Sequence, residues 1–324
     1  MRLKACVAAS LLLFVAEHGA IAQPVDTQAV AGKLYVTSWF GNAITVVDLA
    51  ERKAVKSVPV GVQDHNVFLS PDRKFAWVAN HSDSTVSIID TQTDQVAHTI
   101  AVGNGPRHTY FAPDGGEAYV TNEFDGTVVV IDPARRSLRA TIKVGHMPHF
   151  PIAVGGRLFV TNFGDGTVSV IDRASREVVA TIEVGLGPLG AGATRDGKRV
   201  YIACHNANHV AVVDTERLAV VARIATEPGP VQATVTPDQR FVYVASDGRG
   251  AVQKIDLAAN VVVKTIAIGH GAGTHGIAFS PDDRLLFVTN TGLGTVSVID
   301  AERDEIVAEI KVDVAPEGIA FLRR

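Results

Sequence analysis

A phrase of about 42 residues recurs seven times in this chain, and no other feature restricts its fold so tightly. A Val/Ile-Asp pair marks each copy, at Asp48, Asp90, Asp132, Asp172, Asp214, Asp256 and Asp300. A Val/Ile-Gly pair closes most copies, at Gly61, Gly103, Gly145, Gly185 and Gly269. A fixed period in this range marks a unit that cannot bury its apolar face alone and stacks on its neighbours.

Inside one copy the pattern is β throughout. In residues 104–145, "HTYFA" predicts a short strand, "PDGG" a turn, "EAYVTN" a second strand and "EFDG" a loop. "TVVVID" then predicts a third strand, "PARR" a turn and "SLRATIKV" a fourth. Pro-Asp-Gly and Asp-Gly supply turn chemistry, and Val, Ile, Thr and Tyr fill the strands. No segment carries a helical period. Four antiparallel strands per copy make the blade of a β-propeller.

The ends complete the count. The first copy, "KLYVTSWFGNAITVVD", lacks the opening strand, whereas the final "VAPEGIAFLRR" contains only that strand and matches "GTHGIAFSPDD". The expectation is an all-β, seven-bladed β-propeller whose ring is closed by the C-terminal strand joining the first blade, which removes an exposed edge. It forms one domain over residues 23–324. The copies run near 32–61 plus 313–324, 62–103, 104–145, 146–185, 186–227, 228–269 and 270–312. Hydrophobic residues make up 47% of the chain but aromatics only 6%, so Val, Ile, Ala and Leu must build the core.

The first 22 residues read as a secretory leader: Arg2 and Lys4, then "ACVAASLLLFVA", then an Ala20-Ile21-Ala22 cleavage site. The apolar stretch is too short to span a bilayer, and no second one follows. The expectation is a periplasmic or secreted protein cleaved after Ala22, monomeric, with no integral membrane segment in the mature chain. A net charge of −4 gives no electrostatic footprint for nucleic acid. Cys6 leaves with the leader, so Cys204 has no disulfide partner within the chain.

Propeller topology puts the inter-blade connections and the loops between second and third strands on one face. Nine of the ten histidines beyond the leader map there; His98, in an outer strand, is the exception. Counted from the repeat-closing glycine, one equivalent position holds His275, Glu317, His65, Arg107 and His149 on consecutive blades, then Leu189 and Val231. His108 follows Arg107. The loop after the second strand adds Trp39, His81, Glu123, Phe163, His205 and Asp247.

Imidazoles converging with a carboxylate suit a borderline metal ion. The candidate ligands are His65, His149, His275 and Glu317, for one divalent ion (zinc, copper, iron or magnesium). His81 and His205 are candidate acid/base groups; Trp39, Arg107, His108, Glu123, Phe163 and Asp247 are candidate ligand-binding residues. The structural alternative is a histidine that caps a strand and bonds a neighbouring loop. Cys204-His205 invites a nucleophile reading, against that of a small buried thiol.

Two glycine patterns, "GLGPLG" at 185–190 and "GAGTHG" at 271–276, each precede a predicted strand, so no helix N-terminus is there to hold a pyrophosphate. The chain has no G-x-S-x-G, H-E-x-x-H or C-x-x-C-H. The Pro-Asp turns at Asp72, Asp114, Asp238 and Asp282 are structural.

"YVTN" at 119–122 and "FVTN" at 159–162 and 287–290, with "SPD" upstream and "TVSVID" downstream, resemble the YVTN-repeat β-propeller family. The resemblance covers nearly all of the chain after the leader. It extends more distantly to the propellers of amine dehydrogenase heavy chains, lactonases and virginiamycin B lyase. Three functional expectations stand. The first is an exported propeller that binds a small ligand, a metal ion or an extracytoplasmic partner protein at its histidine-rich mouth. The second is a divalent-metal-assisted lyase or lactonase acting on an ester or lactone there. The third is a copper or haem-like redox protein. Whether the chain is an enzyme stays open.

Overall fold

The computed structural model describes residues 31–323. Seven four-stranded antiparallel sheets follow one another as blades. The expected leader, residues 1–22, lies outside the described residues.

Blade 1 orders its strands as Pro316–Arg323, Gly32–Ser38, Ala43–Asp48 and Lys53–Pro59. The chain's last strand is thus the innermost of the first blade, paired antiparallel with Leu34 opposite Phe321 and Val36 opposite Ile319. The innermost strands of blades 2 to 7 are Asp64–Leu69, Pro106–Phe111, Pro148–Val154, Pro188–Ala193, Pro230–Val235 and Thr274–Phe279. Among the described residues the one helical piece is a 3-10 turn at His205–Ala207.

Each blade buries its middle strands against the next. Tyr35, Ile44 and Val46 of blade 1 pack on Val67, Val78 and Ile89 of blade 2. The repeated phrases have identifiable tasks in this packing. The Asp ending the third strand accepts, through Oδ1, the N–H three residues on in all seven blades. The residue after that is left-handed in each blade, from Arg52 (φ 52) to Asp304 (φ 56), so one aspartate shapes every outer turn.

The Thr of the second strand joins blades. Thr37, Thr121, Thr161 and Thr289 each accept an N–H from their own blade's inner strand. Each also donates to the next blade, to the carbonyls of His65, His149, Leu189 and Glu317. The following Asn ties the second hairpin: Asn162 Nδ2 donates to Thr167 and Ser169, both at 3.0 Å. A Cβ on Gly145 would lie 2.6 Å from that Asn side chain, which is why glycine closes the repeat.

Candidate metal centre

Every innermost strand opens with a register shift against its neighbour. Pro148 pairs with Asn162, yet Pro151 pairs with Val160; Thr274 pairs with Asn290, yet Ile277 pairs with Val288. One extra residue on the inner strand is a β-bulge, and a bulge re-aims side chains. It lies where His149 and His275 sit, and corresponding shifts flank His65 and Glu317.

At the ring's axis these side chains meet. Ligand atoms of His65, His275 and Glu317 all lie within 4.8 Å of one another. His65 Nε2 is 3.6 Å from Glu317 Oε2. The His65 ring lies 6.0 Å from that of His275, 5.3 Å from His149 and 4.8 Å from His108, and His108 and His149 are 4.6 Å apart. Four imidazoles and a carboxyl therefore fill the neck of the funnel.

The hydrogen bonds fix the useful nitrogen of His65. Its Nδ1 is 3.0 Å from the Arg107 carbonyl, which only accepts, so the proton sits on Nδ1 and the Nε2 lone pair faces Glu317. Ligating histidines are held this way, by a backbone carbonyl at the other nitrogen. Burial keeps the rings neutral: His65, His108 and His149 are driven well below the ordinary imidazole range, and His275 to about 4. Burial also pushes Glu317 up to about 8, and its Oε2 has no hydrogen-bond partner.

Above the neck a cavity of about 270 Å³ opens. On one side Arg107 Nε donates to Glu123 Oε2, and His81 Nε2 donates to the same oxygen at 3.0 Å. The Arg107 guanidinium lies 5.3 Å from the Trp39 ring centre. Across the cavity, His205 Nε2 meets Asp247 at 3.1 Å and its Nδ1 meets Asn206 Oδ1 at 2.8 Å. The bond to Asp247 raises the imidazole's pKa. Met147, Phe163 and Leu189 supply an apolar wall.

Of the four candidate ligands, the structure brings His65, His275 and Glu317 into one set; His149 stands beside His65, packed on His108, outside that set. His108 faces the neck with the other three rings rather than the open mouth. Sequence reasoning did not single out Asp64. It is buried, accepts the Ser38 N–H at 2.7 Å, and is pushed up to about 7 by burial. Its signal was visible: where five of the other six innermost strands open on Pro, this one opens on a carboxylate.

A family model described as YNCE-like beta-propeller matches residues 71–324. The chain belongs to the YNCE-like beta-propeller family. No curated protein matches it in sequence. Among solved structures, Kuenenia stuttgartiensis hydrazine synthase is similar at 20% identity with a TM-score of 0.74, over 81% of this chain and 95% of that one. A functionally unknown protein from Desulfotomaculum acetoxidans DSM 771 is similar at 16% identity and TM-score 0.78, over 90% and 99%. The dihydro-heme d1 dehydrogenase NirN in complex with DHE is similar at 15% identity and TM-score 0.67, over 89% and 74%. At these identities the likeness concerns the propeller fold.

Within this YNCE-like chain, Cys204 departs from the repeated Asn. The thiol is fully buried, and burial pushes it up to about 12, which removes the thiolate a nucleophile needs. His209 compensates for the lost amide: its Nε2–H donates to the Val184 carbonyl at 2.9 Å, as Asn122 Nδ2 does to Val102 at 3.0 Å. His146, His270 and His98 are exposed and away from the neck.

Proposed function

We propose that this chain is an exported propeller that holds one divalent transition-metal ion at the neck of its funnel, through His65, His275 and Glu317. The observation that carries the reading is the three ligand atoms within 4.8 Å, one of them a buried carboxylate oxygen with no hydrogen-bond partner. Ionising this buried, unpartnered carboxyl is costly, which is why its pKa is pushed up to about 8, and an ion beside it would offset that cost. Two imidazoles and one carboxylate with an open position form a donor set used by catalytic zinc. Imidazole donors favour zinc, copper or iron over magnesium, which demands oxygen ligands. The leader supports action outside the cytoplasm.

The test is elemental analysis of the chain from Gln23, purified without a histidine tag or added metal. One equivalent of zinc, copper or iron is expected, and a His65→Ala/His275→Ala variant is expected to lose it. A protein that carries no metal and takes none up on dialysis would end this reading.

A second reading, metal-assisted opening of an ester or lactone, has one observation in its favour. His205, held by Asp247, lines the same cavity as the metal set, which supports an acid/base role for it toward a molecule bound there. Assays on the metal-loaded protein with lactone and ester substrates, alongside His205→Ala, test it. Turnover that falls with the variant is expected; its absence leaves a binding protein.

A further inference from the structure

We infer that the cavity above the neck binds a small monocarboxylate with an apolar, flat body, the carboxylate directed at the ion and Arg107 and the body at Met147, Phe163 and Leu189. The inference rests on the metal reading above and names the ligand class of that site.

Charge is the first argument. A divalent ion held by ionised Glu317 leaves one positive charge at the neck. Arg107 is cancelled by Glu123, and Asp247, which His205 contacts, does not line the cavity. The loaded cavity is therefore complementary to a single negative charge. Arg107 is also free to use it: its Nε is committed to Glu123, while no hydrogen bond from its two terminal nitrogens is found among the described residues. Those nitrogens are the pair that grips a carboxylate.

Shape and polarity supply the second argument. The equivalent position that holds His275, Glu317, His65, Arg107 and His149 turns apolar at Leu189 and Val231. Met147 and Phe163 extend that side of the cavity wall. An anion with no apolar body leaves this wall wet, and an apolar molecule with no anion leaves the ion and Arg107 unanswered. Benzoate, a flat apolar ring bearing one carboxylate, is the simplest molecule with both features.

Calorimetric titration of the zinc-loaded protein with benzoate, benzyl alcohol and acetate tests this, after zinc content has been measured on the same sample. Benzoate is expected to bind about tenfold or more tightly than either comparator. Arg107→Met is expected to erase the preference over benzyl alcohol while one zinc stays bound. Leu189→Asp is expected to erase the preference over acetate. With one zinc bound and no preference for benzoate in the wild-type protein, the ligand class is wrong and the metal reading survives. With no zinc bound, the metal reading falls and this inference falls with it. The wild-type comparison alone decides the matter if a variant fails to fold.

Discussion

Thr289 accepts the Gly276 N–H at 2.7 Å and donates to the Glu317 carbonyl at 2.6 Å, so one hydroxyl spans two blades. Thr289→Val keeps the shape and strands both backbone groups, which is expected to cost about 1–3 kcal/mol in urea unfolding. An unchanged midpoint would mean the hydroxyl is dispensable. Glu123 offers a pH test. Burial opposes its ionisation, but hydrogen bonds from His81 and Arg107 outweigh that and hold it down to about 2, below its ordinary 4.5. A lowered carboxylate stabilises the fold above its unfolded value and loses that contribution as pH falls through its folded one. The melting-temperature gap between wild type and Glu123→Gln is therefore expected near neutrality and should close between pH 4.5 and 2. A gap independent of pH would assign Glu123 a packing role. Both residues lay in repeated phrases or candidate positions of the sequence, yet neither partner was legible there. Sequence places Thr289 in a strand; only the neighbouring blade supplies the Glu317 carbonyl.

The closing strand is the element on which the ring depends. It contributes Ile319, Phe321 and Leu322, all buried, at roughly 1.5–3 kcal/mol each. That sum is comparable to the whole stability of an ordinary domain. Deleting residues 313–324 also uncovers the edge of Gly32–Ser38 and leaves a sheet available for pairing with other chains. The truncated protein is expected to lose its cooperative thermal transition and to elute as aggregate in size-exclusion chromatography; a monomer with a native transition would show that the ring stands without its closure. This element was readable in the sequence because "PEGIAF" repeats "THGIAF" and the first copy lacks that strand. The bulges at the strand starts were not readable. They interrupt the strict alternation from which side-chain direction is inferred.

For the molecule as a whole, an ion bound between blade 1, blade 2 and blade 7 is a clasp on the ring as well as a site. Glu317 comes from the closing strand, His65 from the next blade and His275 from the last. A ligand that binds only the folded state at a hundred times its Kd stabilises it by about 2.7 kcal/mol. Excess zinc is accordingly expected to raise the melting temperature of metal-free protein by several degrees, reversibly with EDTA, and to leave His65→Ala/His275→Ala unmoved. Equal shifts in wild type and variant would place the zinc effect elsewhere on the surface.

The sequence by itself determined the number of blades, the manner of closure and the fact that His275, Glu317, His65, Arg107 and His149 occupy one equivalent position. Periodicity carries that information directly, because residues one repeat apart have the same backbone environment. Tertiary structure alone decided which of them touch. His65 and His275 are 210 residues apart and met only because the ring closes. His149, equivalent in the repeat, was left beside the set, since neighbours around a narrow neck compete for the same axis and His108 already packs against it. Equivalence along a chain is a statement about direction. Distance between side chains is settled by the radius of the closed ring and by the one-residue bulge that turns each strand start toward its centre.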